Sequence, residues 1–449
     1  MTIRIFKITL SLLLLSFTAQ SQIVTRSEFA PYTQRKDANA LQHNDLETYI
    51  KFDPGVSLTS SGEIVMAQTV EMPQSWVDAV VHFHVEAMDS AYTLWINGVA
   101  VVECEDSLTP TDYNISPYIR VGENIVFITY HNSELSYLEQ DIERPARSQF
   151  VGSYFYTQNK VRILDYELTM TEHTDGKHGQ LFIDVIVENR FNFPETISIG
   201  FDIYDPENKL LDFSTAQATI EGNSTDTIRF MPHLYGAEKH RWDPTAATTR
   251  KTTKPIDQPL YSLMLFTRRN SVPTNFIPLK VGFTLPEYSE GKLTEWNKDI
   301  TLKAVNYNAK ESSREAEVDL RKLKAQGYNT IEPDYPQPLW FYSLCDKIGL
   351  YVIEQAAINS PISADDRSVG GTPSNNPALK DEYLQRVKKM YYRTRNYSCI
   401  VAYSLGGDSG NGYNMYKAYQ WLKGIESKRP IIYKGAEGEW NSDILTIER

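Results

Sequence analysis

The sequence is poor in cysteine, in long apolar runs and in positive charge, and each shortage excludes a class of protein. Among 449 residues only Cys104, Cys345 and Cys399 are cysteines. Three thiols cannot all pair and no two are close in sequence, so neither a disulfide framework nor a zinc knuckle is indicated; buried free thiols are expected. Lys and Arg number 45 against 57 Asp and Glu, a formal charge of −12. Without a basic tract the chain offers nothing to nucleic acid, whose phosphates demand clustered cations. The pronounced apolar run, Ile8 to Phe17, is about half the roughly 20 residues needed to span a bilayer. Histidine stops at His240, which removes imidazole as base, ligand or donor from the C-terminal part. With 41% hydrophobic and 23% charged residues the chain is globular, and its length predicts two to four domains at roughly 100–200 residues each.

What is present begins with an export signal. Arg4 and Lys7 flank the apolar run, and Ala19 and Ser21 supply a small-x-small cleavage pattern. Residues 1–21 are therefore read as a signal peptide, and the protein as exported to the periplasm, the cell surface or the medium. No cysteine lies near the cleavage point, so a lipid anchor is not indicated.

Three stretches follow that differ in period. Residues 22–170 show two-residue alternation, as in Ala79–Glu86, and a hairpin signal in which Asn97-Gly98 separates Leu94-Trp95-Ile96 from Val99–Val102. Asn-Gly suits the type I′ turn, whose central residues both need positive φ. A β-sandwich is predicted. His82 and His84 form an H-x-H on one strand face, read as a solvated polar face rather than a metal site. Residues 171–285 continue the alternation through Leu181, Ile183, Val185 and Val187, predicting an immunoglobulin-like sandwich. Arg241 to Gln258 reads as a loop.

From 286 strands alternate with helices, which implies a parallel sheet. Strands are predicted at Ile300–Val305, Tyr328–Ile331, Leu350–Ile353, Ile400–Leu405, Pro430–Tyr433 and Ile444–Ile447. Helices are predicted over 312–326, near 338–347, at 380–395 and at 413–424. Ser312 and Glu315 are spaced as a capping box, with Gly327 as the stop. Active groups of such sheets gather at the C-terminal ends of strands. Those ends carry Asn306-Tyr307-Asn308, Glu332-Pro333-Asp334, Glu354-Gln355, Gly406-Gly407-Asp408-Ser409-Gly410, Lys434 and Glu448. Carboxylates and amides suit sugar hydroxyls or a carboxylate-based glycosidase.

At Leu94–Gly98, Asp106–Pro110, Gly122-Glu123-Asn124, Ser136–Glu139, Leu344-Cys345-Asp346, Gly349–Val352, Tyr403–Gly410 and Ser427–Pro430 the sequence resembles the glycoside hydrolase family 2 β-galactosidases. The resemblance implies a jelly-roll sugar-binding domain, an immunoglobulin-like domain and a TIM-type (β/α) barrel, in that order. It also implies site positions, most of them altered. The family's acid/base Glu of S-L-G-N-E-S-G corresponds to Asp408, preceded by Gly407 in place of Asn. Its G-V-N-R-H-E is matched by Ala304–Ala309, which leaves Asn308. Arg and His around the second strand become Glu332 and Asp334. D-E-A-N-I-E becomes Glu354–Asn359, so Glu354 and Asn359 stand where a sugar contact and a magnesium ligand are expected, and the next ligand His falls at Pro361. D-G-S-Y-L-E appears as Glu134–Glu139, which leaves Glu134 and Tyr137 as sugar contacts.

An Asp is one methylene shorter than Glu, and roughly 1 Å of misplacement can cost about a hundredfold in rate. Residues 286–449 also fall short of the roughly 250 of a complete barrel, so the barrel is expected to be partial and the nucleophile of a later strand to lie beyond it. The reading is thus a pseudoenzyme: an exported glycan-binding or assembly subunit of a cell-envelope complex, with no metal and no cofactor. Open barrel edges at the first and sixth strands are expected to attract a protein partner or a second copy. The alternative is an active β-galactosidase or β-glucuronidase with Asp408 as acid/base and an unidentified nucleophile.

Overall fold

The computed structural model describes residues 23–45, 48–58, 64–88, 90–130, 136–143, 152–244, 257–269, 271–310 and 312–449. The expected signal peptide and most of the loop at 241–258 lie outside them.

Two five-stranded antiparallel sheets make the first sandwich. One runs Ile23–Val24, Thr111–Asn114, Val80–Val85, Tyr154–Gln158, Tyr49–Lys51; the other runs Gly55–Leu58, Ile64–Met72, Gly122–Tyr130, Tyr92–Ile96, Val99–Cys104. The hairpin forms at Asn97 (φ 53°) and Gly98 (φ 81°), the positive pair that the turn demands. Between the sheets pack Phe83, Leu94, Ile96, Tyr113, Ile128 and Phe155. One expectation is corrected here. The strand Val80–Val85 is buried along its whole length, and His82 and His84 are each only 1% exposed. It is a central strand whose second face is covered by the rest of the molecule, so the alternation marked two different buried environments rather than core and solvent.

The second sandwich pairs Val161–Glu172, Gly179–Asn189 and Ser224–Phe230 against a sheet of Leu210–Ile220, Glu195–Tyr204, Tyr261–Arg269 and Val272–Val281. The expected boundary at 170/171 falls inside the strand Val161–Glu172, which pairs with Gly179–Asn189 from end to end. The second sandwich therefore starts near residue 161, because alternation alone does not reveal which sheet a strand joins.

After a small three-stranded sheet over 286–299, the third part is a parallel sheet flanked by helices Ser313–Ala325, Leu339–Ile348, Lys380–Thr394 and Tyr413–Ile425. Ser312 caps the first helix by accepting the Glu315 amide, while its hydroxyl donates to the Glu315 carboxylate at 3.0 Å. The six barrel strands are Leu302–Asn306, Thr330–Glu332, Tyr351–Gln355, Ile400–Ser404, Ile431–Ile432 and Ile447–Glu448. The first five lie in sequence order, but the sixth pairs in parallel with the first, Leu302 opposite Ile447. Among the described residues the sheet is an open partial barrel.

The edges accordingly differ from those expected. They are the fifth and sixth strands, and the fifth is covered: the Asp443 carboxylate accepts the Ile431 amide at 2.8 Å, the Asp443 amide donates to the Ile431 carbonyl at 2.7 Å, and Ser442 Oγ accepts the Tyr433 amide at 2.9 Å. Polar groups that occupy an edge remove its template for pairing. Cys104, Cys345 and Cys399 are buried and free, and no described helix is long and apolar enough to cross a membrane.

Candidate functional site

The C-terminal ends of the first two barrel strands converge on Asp334. Its carboxylate accepts from Asn308 Nδ2 at 2.8 Å and Asn306 Nδ2 at 3.3 Å, and its amide donates to Asn308 Oδ1 at 2.9 Å. Gln355 on the third strand donates to the Asp334 carbonyl at 3.0 Å. The reciprocal amide–carboxylate pair fixes both strand ends and leaves Asn306, Asn308 and Asp334 partly open to solvent. Beside them Glu332 is held by both arms of Arg449 at 2.8 Å, a fork-to-carboxylate geometry of the strong kind. Asp408, after the fourth strand, is 62% exposed, with Lys434 Nζ 3.6 Å from its carboxylate.

Two expected contacts turn out to be internal. Glu354 is fully buried; Tyr342 donates to its Oε1 at 2.7 Å, and Oε2 has no partner. Burial pushes its carboxyl up to about 8, against the opposing influence of the Tyr342 hydrogen bond and Arg393. A neutral carboxylic acid in an apolar setting follows, since desolvation disfavours the charge, and it does not reach a sugar in the mouth. Asn359 instead ties the barrel to the first sandwich: its amide donates to the Leu138 carbonyl at 2.7 Å and its side chain to the Asp141 carbonyl at 3.1 Å.

The same residue explains the glycine at 407. A Cβ there would stand 2.6 Å from Asn359 Cγ and 2.7 Å from its Oδ1, so the two side chains compete for one volume. Gly407 and Asn359, two departures from the family pattern that looked independent, form one packing unit. Tyr137 is half-buried and packs against the barrel core beside the buried Leu138. Glu134 lies outside the described residues. The structure thus brings Asn308, Glu332 and Asp334 together at the strand ends, places Asp408 on the fourth strand's loop, and makes Glu354 and Asn359 structural.

A seam of buried charge beneath the mouth escaped the sequence reading. On the helix Lys380–Thr394, Arg386, Lys389 and Arg393 line one face at i, i+3 and i+7. Arg386 Nη1 meets Glu139 Oε1 at 2.5 Å and Asp106 Oδ1 at 3.1 Å; Lys389 Nζ meets Asp106 Oδ2 at 2.6 Å. Arg393 pairs with Glu28. Burial alone would raise the Asp106 carboxyl, but Lys389 and Arg386 outweigh it and hold it below its ordinary value. Above this seam, Leu108 and Ile142 of the first sandwich pack on Tyr335 and Ala357 of the barrel. Basic residues at the spacing of the apolar Tyr383, Val387 and Met390 face were the available signal, since buried cations require buried partners.

Among the described residues no cluster of three or more His, Cys, Asp or Glu has the arrangement to hold a metal ion. A cavity of about 480 Å³ lies between the second sandwich and the N-terminal side of the barrel, lined by Leu168, Trp296 and Arg429. That is the face where barrels carry stability rather than chemistry.

Residues 297–448 match the glycosyl hydrolases family 2 TIM barrel domain, and residues 18–156 match the family's sugar binding domain. The chain is 27% identical over 400 residues to a beta-galactosidase of Priestia megaterium, covering 85% of this chain and 37% of that protein. It is 25% identical over 367 residues to a beta-galactosidase of Vibrio cholerae, covering 78% and 34%. It therefore spans about a third of the length of the curated relatives it matches. Its fold is similar to a glycosyl hydrolase family 2 member of Bacteroides cellulosilyticus (TM-score 0.67, 13% identity, 94% of this chain and 56% of that one) and to Bacteroides uniformis beta-glucuronidase (TM-score 0.66, 15% identity, 83% and 46%). With two of the family's domain models matched in order on one chain, the protein belongs to glycosyl hydrolases family 2.

Proposed function

We propose that this chain is an exported, glycan-binding relative of the beta-galactosidases and beta-glucuronidases it is similar to, that it does not hydrolyse its ligand, and that it serves as a subunit of a cell-envelope assembly. The observation that carries this reading is the commitment of the mouth carboxylates. Asp334 is held by two asparagines, Glu332 by Arg449 and Glu354 by burial, while Asp408 faces Lys434. Retaining hydrolysis needs two carboxyl groups about 5–5.5 Å apart, one to protonate and one to attack, and the commitments of Asp334, Glu332 and Glu354 leave Asp408 without a free partner among these four. Asn306, Asn308 and Asp334 keep exposed polar atoms suited to sugar hydroxyls.

The test uses the full chain with nitrophenyl galactosides, glucuronides and mannosides, alongside Asp408→Asn. The expected result is no turnover above that variant's level, with calorimetric binding of an oligosaccharide that Asn308→Ala weakens. Recovery of the native protein from envelopes in a large complex supports the subunit role; a lone species in the medium opposes it.

A second reading is an active glycosidase with Asp408 as acid/base. Its support is that Asp408 is the exposed carboxylate after the fourth strand, at the position corresponding to the family's acid/base. Turnover that Asp408→Asn abolishes establishes this reading and overturns the first.

A further inference from the structure

A second polar site lies far from the barrel mouth, in a cleft of about 310 Å³ where the two sandwiches meet. The first sandwich contributes Arg26, His82 and Asn114; the second contributes Arg162, Glu188 and Arg190. His82 is 1% exposed and its ring stacks on Tyr156 at 4.8 Å, yet neither ring nitrogen has a hydrogen-bond partner. Arg162 is 4% exposed; its Nη2 reaches Glu188 at 2.6 Å, but Nε and Nη1 have no partner. Nε of Arg26, 5% exposed, is likewise unpartnered. Buried donors are almost always satisfied in folded proteins, so several in one place mark something that the protein alone does not supply.

Charge narrows what that is. The charged side chains that line the cleft are Arg26, Arg162 and Arg190 against Asp165 and Glu188; Arg26 also meets Asp112 at 3.4 Å, and Asp165 meets Arg395 at 2.8 Å, which Glu167 shares at 3.1 Å. Arg162 and Arg190 share the single carboxylate of Glu188, at 2.6 and 3.2 Å. On the lining itself three guanidiniums face two carboxylates, and several of their N–H groups have no acceptor. Unpartnered guanidinium donors favour an anionic acceptor over water, because charge-assisted hydrogen bonds are the stronger ones. Burial, and then the neighbouring cations Arg26 and Arg190, push the Arg162 guanidinium down to about 10 in spite of Glu188, since burial beside like charges disfavours the charged form. The cleft also exceeds a bare ion: at about 30 Å³ per water it has room for roughly ten, the scale of a monosaccharide.

We propose that the cleft between the sandwiches binds a small organic oxyanion, a carboxylate or phosphate group carried on a molecule of about monosaccharide size, through Arg162, Arg190 and His82. Because each sandwich supplies part of the wall, the bound anion also bridges the two domains. The site is independent of the barrel mouth and of the reading given to it.

Titration calorimetry of the full chain at fixed ionic strength, with galacturonate, glucose 6-phosphate and inorganic phosphate, tests this. Saturable one-to-one binding of galacturonate or glucose 6-phosphate is expected, with neutral galactose inert in this cleft. Tighter constants for the sugar anions than for inorganic phosphate support an organic ligand; binding of inorganic phosphate alone overturns that part. Arg190→Gln, at a half-exposed position that tolerates exchange, weakens affinity about tenfold through loss of one charge-assisted contact. Arg162→Gln abolishes binding, and Arg229→Gln, on an exposed strand face of the second sandwich, leaves it unchanged. No saturable heat with any of the three anions, or an unaltered constant in Arg190→Gln, overturns the proposal.

Discussion

The barrel mouth and the seam beneath it use the same residue types in opposite ways. At the mouth, Asp408 and Lys434 stand 3.6 Å apart with side chains 62% and 78% exposed. In the seam, Arg386, Asp106 and Glu139 meet with side chains at most 6% exposed. Exposed pairs contribute little because water screens them. Buried charges are costly to strand, so their partners must be kept. The difference teaches where this chain has invested its electrostatics: in holding the sugar-binding-type sandwich to the barrel rather than in a poised pair of carboxylates.

Breaking the seam gives the largest expected effect. Arg386→Met leaves Glu139 and Asp106 buried beside a neutral side chain, and removal of one member of a buried network costs about 3–5 kcal/mol. Chemical denaturation measures it, and a loss under about 1 kcal/mol would show the seam to be hydrated. Next comes the pH dependence carried by Glu354. Its folded carboxyl, pushed up by burial to about 8, lies above the ordinary 4.5, so between those values the folded state holds a proton that the unfolded state has released. Stability is therefore full below about 4.5 and falls as pH rises to about 8. Glu354→Gln mimics the neutral acid: the two proteins should be similar near pH 4.5 and the variant more stable at pH 9. Parallel stability–pH curves for the two would refute the assignment.

Of this contrast the mouth's side was legible in the sequence and the seam's was not. The barrel strands and helices were placed within a few residues because Ser312, Gly327 and the apolar periods act locally. What tertiary contact decides was not legible. Nothing near Ile447 says that it pairs with Leu302 rather than with the fifth strand, and nothing near His82 says that both faces of its strand are covered. The positions of Asn308, Glu332 and Asp334 at the mouth were legible because strand ends are predictable. Glu354 was misplaced because its side chain turns inward to Tyr342, and residue type alone carries no direction.

A smaller effect tests the packing unit at the fourth strand's loop. Gly407→Asn drives a side chain into Asn359, and overpacking costs about 1–3 kcal/mol. Pairing it with Asn359→Ala should recover most of that loss, since residues that compete for one volume couple strongly in a double-mutant cycle. Additive losses would mean that the two departures from the family pattern arose independently.

The smallest expected change sharpens the comparison most. Asp408→Asn removes an exposed carboxylate and leaves Lys434 free in water, so stability should move by no more than about 0.5 kcal/mol. A site selected for hydrolysis behaves differently, because a carboxylate poised for chemistry is held under strain and its removal often stabilises the fold. An indifferent Asp408→Asn, measured beside a crippled Arg386→Met, places the electrostatic work in the seam. A gain above about 1 kcal/mol would return it to the mouth and favour the active-glycosidase reading.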